Sequence, residues 1–323
     1  MKRPTRPRAL AAALALIVPA VLLMAAPAAH ADPVSQTSGF YVNPNSSPAA
    51  WVAANPNDGR AGAIRAQIAQ RPMASWFGNW SGDIGSAVGS YVAAADAVDK
   101  LPVLVAYNLP GRDACGGHSG GGAGSVAAYD AWISAFAAAI GNRPAVVVLE
   151  PDSLGDFNCM SQAQINDRTG MLARAAGQFR AKAPNTWAYL DAGNPGWIDA
   201  RTMAQRLNSA GVSAAHGFAL NVSNYFTTGE NVNYGNNVAS ALRSYGYSKP
   251  FVIDTSRNGN GANGAWCNPA GRRIGTPSQL GGGAEMLLWL KTPGESDGNC
   301  GVGAGSSAGQ FLPEVAYKMI FGY

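Results

Sequence analysis

Short apolar runs alternate along the chain with longer segments of helical periodicity. The short runs are apolar at consecutive positions, as expected for strands of a parallel sheet that is buried on both faces. They predict strands at Ser75–Trp80, Val103–Tyr107, Ala145–Glu150, Trp187–Asp191, Gly217–Val222, Phe251–Asp254 and Glu285–Lys291. Alanine-rich segments between them predict helices, for example Val126–Ile140, Gln162–Ala183 and Asp199–Gly211. This alternation indicates an α/β fold with a parallel sheet.

Nearly every predicted strand runs directly into polar side chains at its carboxyl end. The acidic ones are Asp113, Asp152, Asp191, Asp254 and Asp297. In a β/α barrel all carboxyl ends meet at one rim, which holds the active site. An open doubly wound sheet would instead concentrate chemistry at one or two strand ends. We therefore predict a single-domain, TIM-like β/α barrel of roughly seven parallel strands, which leaves the barrel incomplete or distorted.

Residues 1–31 have the layout of a secretory signal peptide. A basic start is followed by an apolar run, and Ala29-His30-Ala31 forms a small-x-small cleavage site. We predict cleavage before Asp32, a secreted protein and one catalytic domain over residues 32–323. No later stretch reaches the ~18 apolar residues that a membrane helix requires.

The sequence pI of about 8.9 largely describes this leader. Its four charged residues are all basic, and without them the chain has equal numbers of basic and acidic residues. A net charge near zero gives no electrostatic basis for binding nucleic acid or an anionic membrane. It suits an uncharged substrate, and we expect a monomer.

The chain contains four cysteines, Cys115, Cys159, Cys267 and Cys300. An even number in an oxidising compartment predicts two disulfides, and the sequence alone allows three pairings. There is no C-x2-C spacing, and His118 and His216 are isolated, so we predict no metal site and no cofactor.

The acids at the strand ends suit glycoside cleavage. A lone aspartate after a strand is usually a cap or turn former, but five on one rim indicate shared chemistry. Glycoside hydrolysis needs one carboxylic acid to protonate the leaving oxygen and one carboxylate to activate water. A single tryptophan usually packs in a core, yet several beside carboxylates predict sugar subsites. The aromatic residues at or just after strand ends are Trp76, Tyr107, Trp197, Trp266 and Trp289.

Six stretches, in order along the chain, closely resemble glycoside hydrolase family 6. They are Phe40-Tyr-Val-Asn-Pro-Asn45, Tyr107-Asn-Leu-Pro-Gly-Arg-Asp113, Glu150-Pro-Asp152, Leu190-Asp-Ala-Gly193, Ile253-Asp-Thr-Ser-Arg-Asn-Gly-Asn-Gly261 and Lys291-Thr-Pro-Gly-Glu-Ser-Asp297. The resemblance implies a distorted, roughly seven-stranded barrel and hydrolysis with inversion at the anomeric carbon. It also implies the pairings Cys115–Cys159 and Cys267–Cys300. An extra residue in Arg112-Asp-Ala-Cys115 departs from the family pattern near the first of these pairs.

The resemblance also implies roles for individual residues. Asp152 matches the general acid, Asp113 would tune its proton and support water activation, and Asp297 matches the family's candidate base. Asp191 would set the local charge, and Ser119 would help to hold the catalytic water. The implied sugar contacts are Trp76, Tyr107, Trp197, Asn221, Trp266, Trp289, Lys291 and Glu295.

The function that follows is an inverting endo-β-1,4-glucanase acting on cellulose and related β-glucans. Chain-end cutters of this family roof the cleft with long insertions, and residues 32–323 leave little room for them. The resemblance therefore favours an endo-acting enzyme, and a cellobiohydrolase of the same family is the alternative within the class. A sugar-binding protein on an inactive barrel would have lost the acids, which are all present here.

The alternative from another class is a secreted esterase. Gly117-His-Ser119-Gly-Gly121 matches the G-x-S-x-G pattern, and Asp191 and His216 follow in the order of α/β-hydrolases. However, Ser119 lies about a dozen residues after the strand that ends at Tyr107, whereas such a serine occupies a sharp turn directly between strand and helix.

Overall fold

The computed structural model describes residue 1 and residues 32–116, 120–155 and 157–323. The predicted leader lies outside the described residues apart from Met1. The helices of the described part are α1 Ser47–Ala54, α2 Ala61–Ile64 with a wider turn over Arg65–Ala69, α3 Ile84–Asp96, α4 Val126–Ile140, α5 Gln162–Lys182, α6 Ala200–Ser209, α7 Thr228–Leu242 and α8 Pro313–Phe321. The strands are β1 Ser75–Phe77, β2 Val103–Ala106, β3 Ala145–Leu149, β4 Thr186–Asp191, β5 Gly217–Leu220, β6 Phe251–Asp254, β7 Gln279–Leu280 and β8 Met286–Leu288.

One eight-stranded sheet in the order β1-β2-β3-β4-β5-β6-β8-β7 organises the chain. All neighbours pair in parallel except β7 and β8, which are antiparallel. The sheet curls, and the Ala74 N–H beside β1 donates to the Trp289 carbonyl just after β8, at 2.9 Å. The predicted single-domain α/β barrel with seven parallel strands is confirmed, and β7 is an addition to it.

Two apolar layers lie on the two faces of this sheet. Alternate strand residues such as Val105, Val148 and Val252 pack together inside the curl. Their neighbours, such as Leu104 and Val147, pack outward among the surrounding helices. Because side chains alternate along a strand, burial on both faces requires continuous apolar runs. The sequence pattern and the fold therefore agree at this level.

Local signals set the helix boundaries. Ser161 and Thr227 begin α5 and α7 with capping boxes, in which the cap hydroxyl and the side chain of Gln164 or Glu230 exchange hydrogen bonds with the backbone. The helices return the chain to the opposite end of the sheet, so every strand except β7 points its carboxyl end in the same direction. No helix among the described residues has the length and apolarity to span a membrane.

Candidate active site

A cleft of about 1110 Å³ lies at the carboxyl ends of the parallel strands. Three of the predicted acids line it: Asp113 after β2, Asp152 after β3 and Asp297 after β8. Trp80, Trp197 and Trp266 also line it and are 55%, 39% and 45% exposed.

Asp152 is half-buried, and its backbone is fixed by a neighbouring strand. Its N–H donates to Oδ2 of Asp191, at 3.0 Å, and the same oxygen accepts the Gly193 N–H. Burial, followed by the negative charges of Asp113 and Asp297, raises the pKa of Asp152 to about 7. A carboxyl group with that pKa keeps its proton in mildly acidic and neutral solution, as a general acid must.

The backbone around this acid is unusual. Asp113, Glu150 and Asp152 all have positive φ angles, of 53°, 52° and 69°. Residues with a Cβ atom disfavour this left-handed region. Such conformations persist where the surrounding structure fixes them, and they cluster at functional sites. Here the two buried carboxylates Glu150 and Asp191 supply that fixation through backbone N–H bonds.

Asp297 is held as an anion. Its two oxygens accept from Nη1 of Arg257, at 3.0 Å each, and Oδ2 also accepts from Tyr225 and from the Asn268 N–H. Lys291 Nζ lies 4.0 Å from Oδ1. Burial alone would raise the pKa of Asp297, but the charges of Arg257 and Lys291 outweigh it and hold the pKa below its ordinary value. The cleft therefore contains one acid that favours its proton and one that favours ionisation.

Glu150 joins the segments that carry two of the acids. Its side-chain carboxyl is fully buried, and Oε2 accepts hydrogen bonds from the N–H groups of Asn108 and Leu109, at 2.9 Å each. Complete burial raises the pKa of Glu150 to about 7, although the two N–H bonds oppose the rise. It thereby ties the loop leading to Asp113 to the loop that carries Asp152.

Asp254, at the end of β6, also joins loops at the carboxyl ends of the strands through hydrogen bonds from backbone N–H groups. Its Oδ1 accepts the N–H groups of Ser256 and Leu290, and its Oδ2 accepts those of Ser223 and Lys291. The carboxyl is completely buried. Burial raises the pKa of Asp254 above its ordinary value, while these hydrogen bonds act in the opposite direction. One buried carboxyl therefore fixes loops that follow three strands.

Six of the eight predicted sugar contacts line the cleft. They are Trp76, Tyr107, Trp197, Trp266, Lys291 and Glu295. The Trp76 indole N–H donates to the Leu290 carbonyl at 2.6 Å, and Lys291 Nζ lies 5.9 Å from the centroid of the Trp76 ring. Glu295 accepts from the hydroxyl of Ser47 at 2.6 Å.

The two other predicted sugar contacts do not reach the cleft. Asn221 is completely buried, and its amide donates to the carbonyls of Phe226 and Asp254. Trp289 is 1% exposed, and its indole N–H donates to the Thr276 carbonyl. Trp289 packs outside the curl with Val52, Ile64 and Ile68, and Asn221 is held among backbone carbonyls, so neither side chain is available to a sugar in the cleft. Ser119 lies outside the described residues.

The two disulfides pair as the family resemblance implies. Cys115 bonds Cys159, and Cys267 bonds Cys300. The second bridge adjoins the site directly, because the N–H of Asn268 donates to Asp297 and its amide donates to the Cys300 carbonyl. Among the described residues, no group of three or more histidine, cysteine, aspartate or glutamate side chains could hold a metal ion.

The esterase interpretation fails on the positions of Asp191 and His216. Asp191 ends β4, whereas His216 precedes β5 and its N–H donates to Ala188, at the opposite end of the sheet. The ring of His216 stacks on Trp187 at 4.2 Å and contacts the carboxylate of Glu285. An aspartate and a histidine at opposite ends of a sheet cannot act in one triad.

Comparison with known proteins agrees with this geometry. The family model "Glycosyl hydrolases family 6" matches residues 35–320. Endoglucanase 1 of Streptomyces halstedii is 66% identical over 317 residues, which cover 98% of each chain. Endoglucanase A of Thermobispora bispora is 42% identical over 97% of this chain and 68% of its own. The chain belongs to glycosyl hydrolases family 6 and is a glycoside hydrolase.

A solved structure supports the same assignment. The endoglucanase Cel6 from Mycobacterium tuberculosis, in complex with methyl-cellobiosyl-4-deoxy-4-thio-β-D-cellobioside, is 35% identical to this chain. It superposes with a TM-score of 0.82 and covers 90% of this chain and 99% of its own.

Proposed function

We propose that the protein is an inverting endo-β-1,4-glucanase that hydrolyses internal bonds of cellulose and related β-glucans in polysaccharide catabolism. The observation that carries the proposal is that Asp113, Asp152 and Asp297 line one cleft, where Arg257 binds Asp297 through both carboxylate oxygens while Asp152 has no such partner among the described residues. The relatives named endoglucanases, and the thio-cellobioside in complex with the Mycobacterium tuberculosis endoglucanase, support a β-glucan as the substrate class. We further propose that the protein is secreted and acts as a monomer.

In this mechanism Asp152 protonates the glycosidic oxygen as the bond to the anomeric carbon breaks. Asp113 and Asp297 raise the pKa of Asp152, so they keep its proton available. The anionic Asp297 faces the positive charge that develops on the sugar ring. A water molecule attacks the anomeric carbon from the opposite face of the ring and gives up a proton to Asp297, with support from Asp113, after which exchange with solvent restores the proton of Asp152.

The low pKa of Asp297 limits its strength as a base, because proton affinity falls with pKa. Its main contribution is therefore a fixed negative charge, secured by Arg257. Asp191 contacts no cleft surface and acts through Asp152, whose N–H it accepts. Trp76, Tyr107, Trp197 and Trp266 offer apolar ring faces on which pyranose rings can stack, and Lys291 and Glu295 offer polar partners for hydroxyl groups.

Endo action is supported by the relatives that are named endoglucanases, one of them 66% identical over 98% of this chain. The test is a reducing-sugar and viscosity assay on a soluble cellulose derivative. We expect viscosity to fall early, before much reducing sugar appears. Release of cellobiose alone, with viscosity almost unchanged, would favour the cellobiohydrolase alternative.

Asp152→Ala should lower kcat on unactivated β-glucan by at least about 100-fold, the usual contribution of a general acid. Surface Asp130→Ala is the matched control, since Asp130 lies outside the cleft in an exposed ion pair with Arg174. An NMR time course should show the α-anomer first. Near-normal activity of the Asp152 variant, or initial β-anomer, contradicts the proposed mechanism.

A further inference from the structure

The cleft contains an aromatic residue that the proposed chemistry does not use. Trp80 lies just after β1, the strand that carries Trp76, and it lines the cleft together with Asp113. It is 55% exposed and is the most exposed of the tryptophans in the described residues. A large apolar ring in contact with water lacks the stabilisation that burial would bring. Its position in the wall of a cleft therefore suits contact with a bound ligand.

The ring is held in one orientation before any ligand arrives. Gly78 and Ser81 form a tight turn, in which Ser81 N–H donates to the Gly78 carbonyl and Gly78 N–H donates to the Ser81 hydroxyl, both at 3.0 Å. A Cβ atom at position 78 would lie 2.4 Å from the Trp80 ring, so the indole packs directly on the glycine backbone. A fixed ring loses little conformational entropy when a ligand binds.

Arg112 connects Trp80 to the catalytic part of the cleft. Its guanidinium carbon lies 5.2 Å from the centroid of the Trp80 ring and 4.6 Å from that of Tyr107. Its Nη1 donates to the side chain of Asn79 and to the Tyr107 carbonyl. The surface is therefore continuous from Trp80 through Arg112 to Tyr107. Asp113 directly follows Arg112 in the chain.

We propose that Trp80 forms an outer sugar subsite, which stacks a glucose unit of the β-glucan beyond those bound around Trp76. This inference rests on the proposed function for the identity of the ligand. A pyranose ring has an apolar C–H face and polar edges, which match an indole face beside a guanidinium. The carboxylates of Asp113 and Asp297 in the same cleft disfavour an anionic ligand.

The proposal predicts a dependence on chain length. Only a glucan long enough to reach from the Asp152 carboxyl to Trp80 gains the additional contact. Trp80→Ala should therefore lower the ratio of kcat/KM for cellohexaose to that for cellotriose by about three- to tenfold, the range for one lost aromatic contact. Trp80→Phe keeps a flat ring and should stay within about twofold of wild type.

Tyr245→Ala is the matched control, because Tyr245 is an exposed aromatic residue, 41% accessible, that does not line the cleft. It should leave the ratio unchanged. Circular dichroism and thermal unfolding establish that each variant is folded. An equal loss on both substrates, or no loss, overturns the proposal.

Binding measurements separate this inference from the proposed function. Calorimetry with cellohexaose on Asp152→Asn, with and without Trp80→Ala, should show a three- to tenfold weaker Kd in the double variant. If the wild-type protein binds cellohexaose in this way but hydrolyses no β-glucan, the proposed function fails and the subsite stands. If it hydrolyses β-glucan but neither the ratio nor the affinity depends on Trp80, the subsite fails alone.

Discussion

The backbone N–H of Asp152 donates to Oδ2 of Asp191, 3.0 Å away, and so joins the loop after β3 to the end of β4. Complete burial raises the pKa of Asp191 well above its ordinary value, which favours the neutral form. The neutral carboxyl still accepts the N–H through its carbonyl oxygen. Asp191 is thus a positioning residue whose acceptor oxygen matters more than its charge.

This relationship predicts different outcomes for two variants. Asp191→Asn keeps a carbonyl acceptor and should change the free energy of unfolding by less than about 1 kcal/mol, with most activity retained near neutral pH. Asp191→Ala leaves the Asp152 N–H without its acceptor and should cost about 1–3 kcal/mol, with a larger fall in kcat. Urea unfolding and kcat on β-glucan check both. An asparagine variant as inactive as the alanine variant would show that the charge is essential.

The raised pKa of Asp152 predicts the alkaline limit of activity. The acid must be protonated to act, so kcat/KM should fall above about pH 7, by about tenfold per pH unit. Asp113→Asn removes a negative charge that raises this pKa, and so it should move the alkaline limb to lower pH even if the residual rate is small. Asp130→Asn, outside the cleft, should leave the limb in place. An unmoved limb in the Asp113 variant would contradict the coupling.

Glu150 predicts a loss of stability with rising pH. Its pKa is raised from 4.5 to about 7, so the folded state favours the proton that the unfolded chain releases. The stabilisation is complete below about pH 4.5 and is lost as the pH rises through about 7, on the order of 3 kcal/mol in total. Glu150→Gln carries no titrating proton, and its free energy of unfolding should fall by about 2 kcal/mol less than that of wild type between about pH 5 and about pH 8. Equal pH dependence of the two proteins would exclude this role.

The bridge between Cys267 and Cys300 predicts a joint effect on stability and activity. Replacing both cysteines by serine should lower the free energy of unfolding by about 2–4 kcal/mol. Activity should fall as well, since the adjacent Asn268 holds Asp297 through hydrogen bonds in both directions. Thermal unfolding and kcat/KM on β-glucan, measured where the variant is folded, check the two effects. Full activity in a destabilised variant would separate the bridge from the site.

The apolar pattern predicted all seven parallel strands because both faces of the sheet are buried. It placed the ends of some of them too late. β1 ends at Phe77, since Gly78 begins a turn, and β8 ends at Leu288, since the N–H groups of Leu290 and Lys291 bond the Asp254 carboxyl. Such side-chain acceptors on another strand leave no trace in a local pattern. The two exposed residues of β7 also lack an apolar signal.

For the candidate site too, the local pattern predicted positions along the chain but not contacts between distant residues. Acids at strand ends were predicted to meet, and Asp113, Asp152 and Asp297 do line one cleft. The ion pair of Arg257 with Asp297 was missed, because it joins residues that are 40 positions apart in the chain. Arg257 lies just after β6 in the sequence. An arginine at the strand ends, among several aspartates, could have indicated an ion pair with one of them. Asn221 and Trp289 were predicted to contact the sugar, but both side chains are buried away from the cleft, Trp289 against α1 and α2.

The left-handed backbone at Asp113, Glu150 and Asp152 has a consequence for the evolution and engineering of this enzyme. At Asp113 and Asp152, which line the cleft, glycine would adopt the required φ without strain, whereas a residue with a Cβ is disfavoured there by about 1–2 kcal/mol. Selection for heat resistance alone would therefore drift toward sequences whose rim has lost its carboxyl groups. Directed evolution of more thermostable variants therefore needs a screen for polysaccharide hydrolysis in every round.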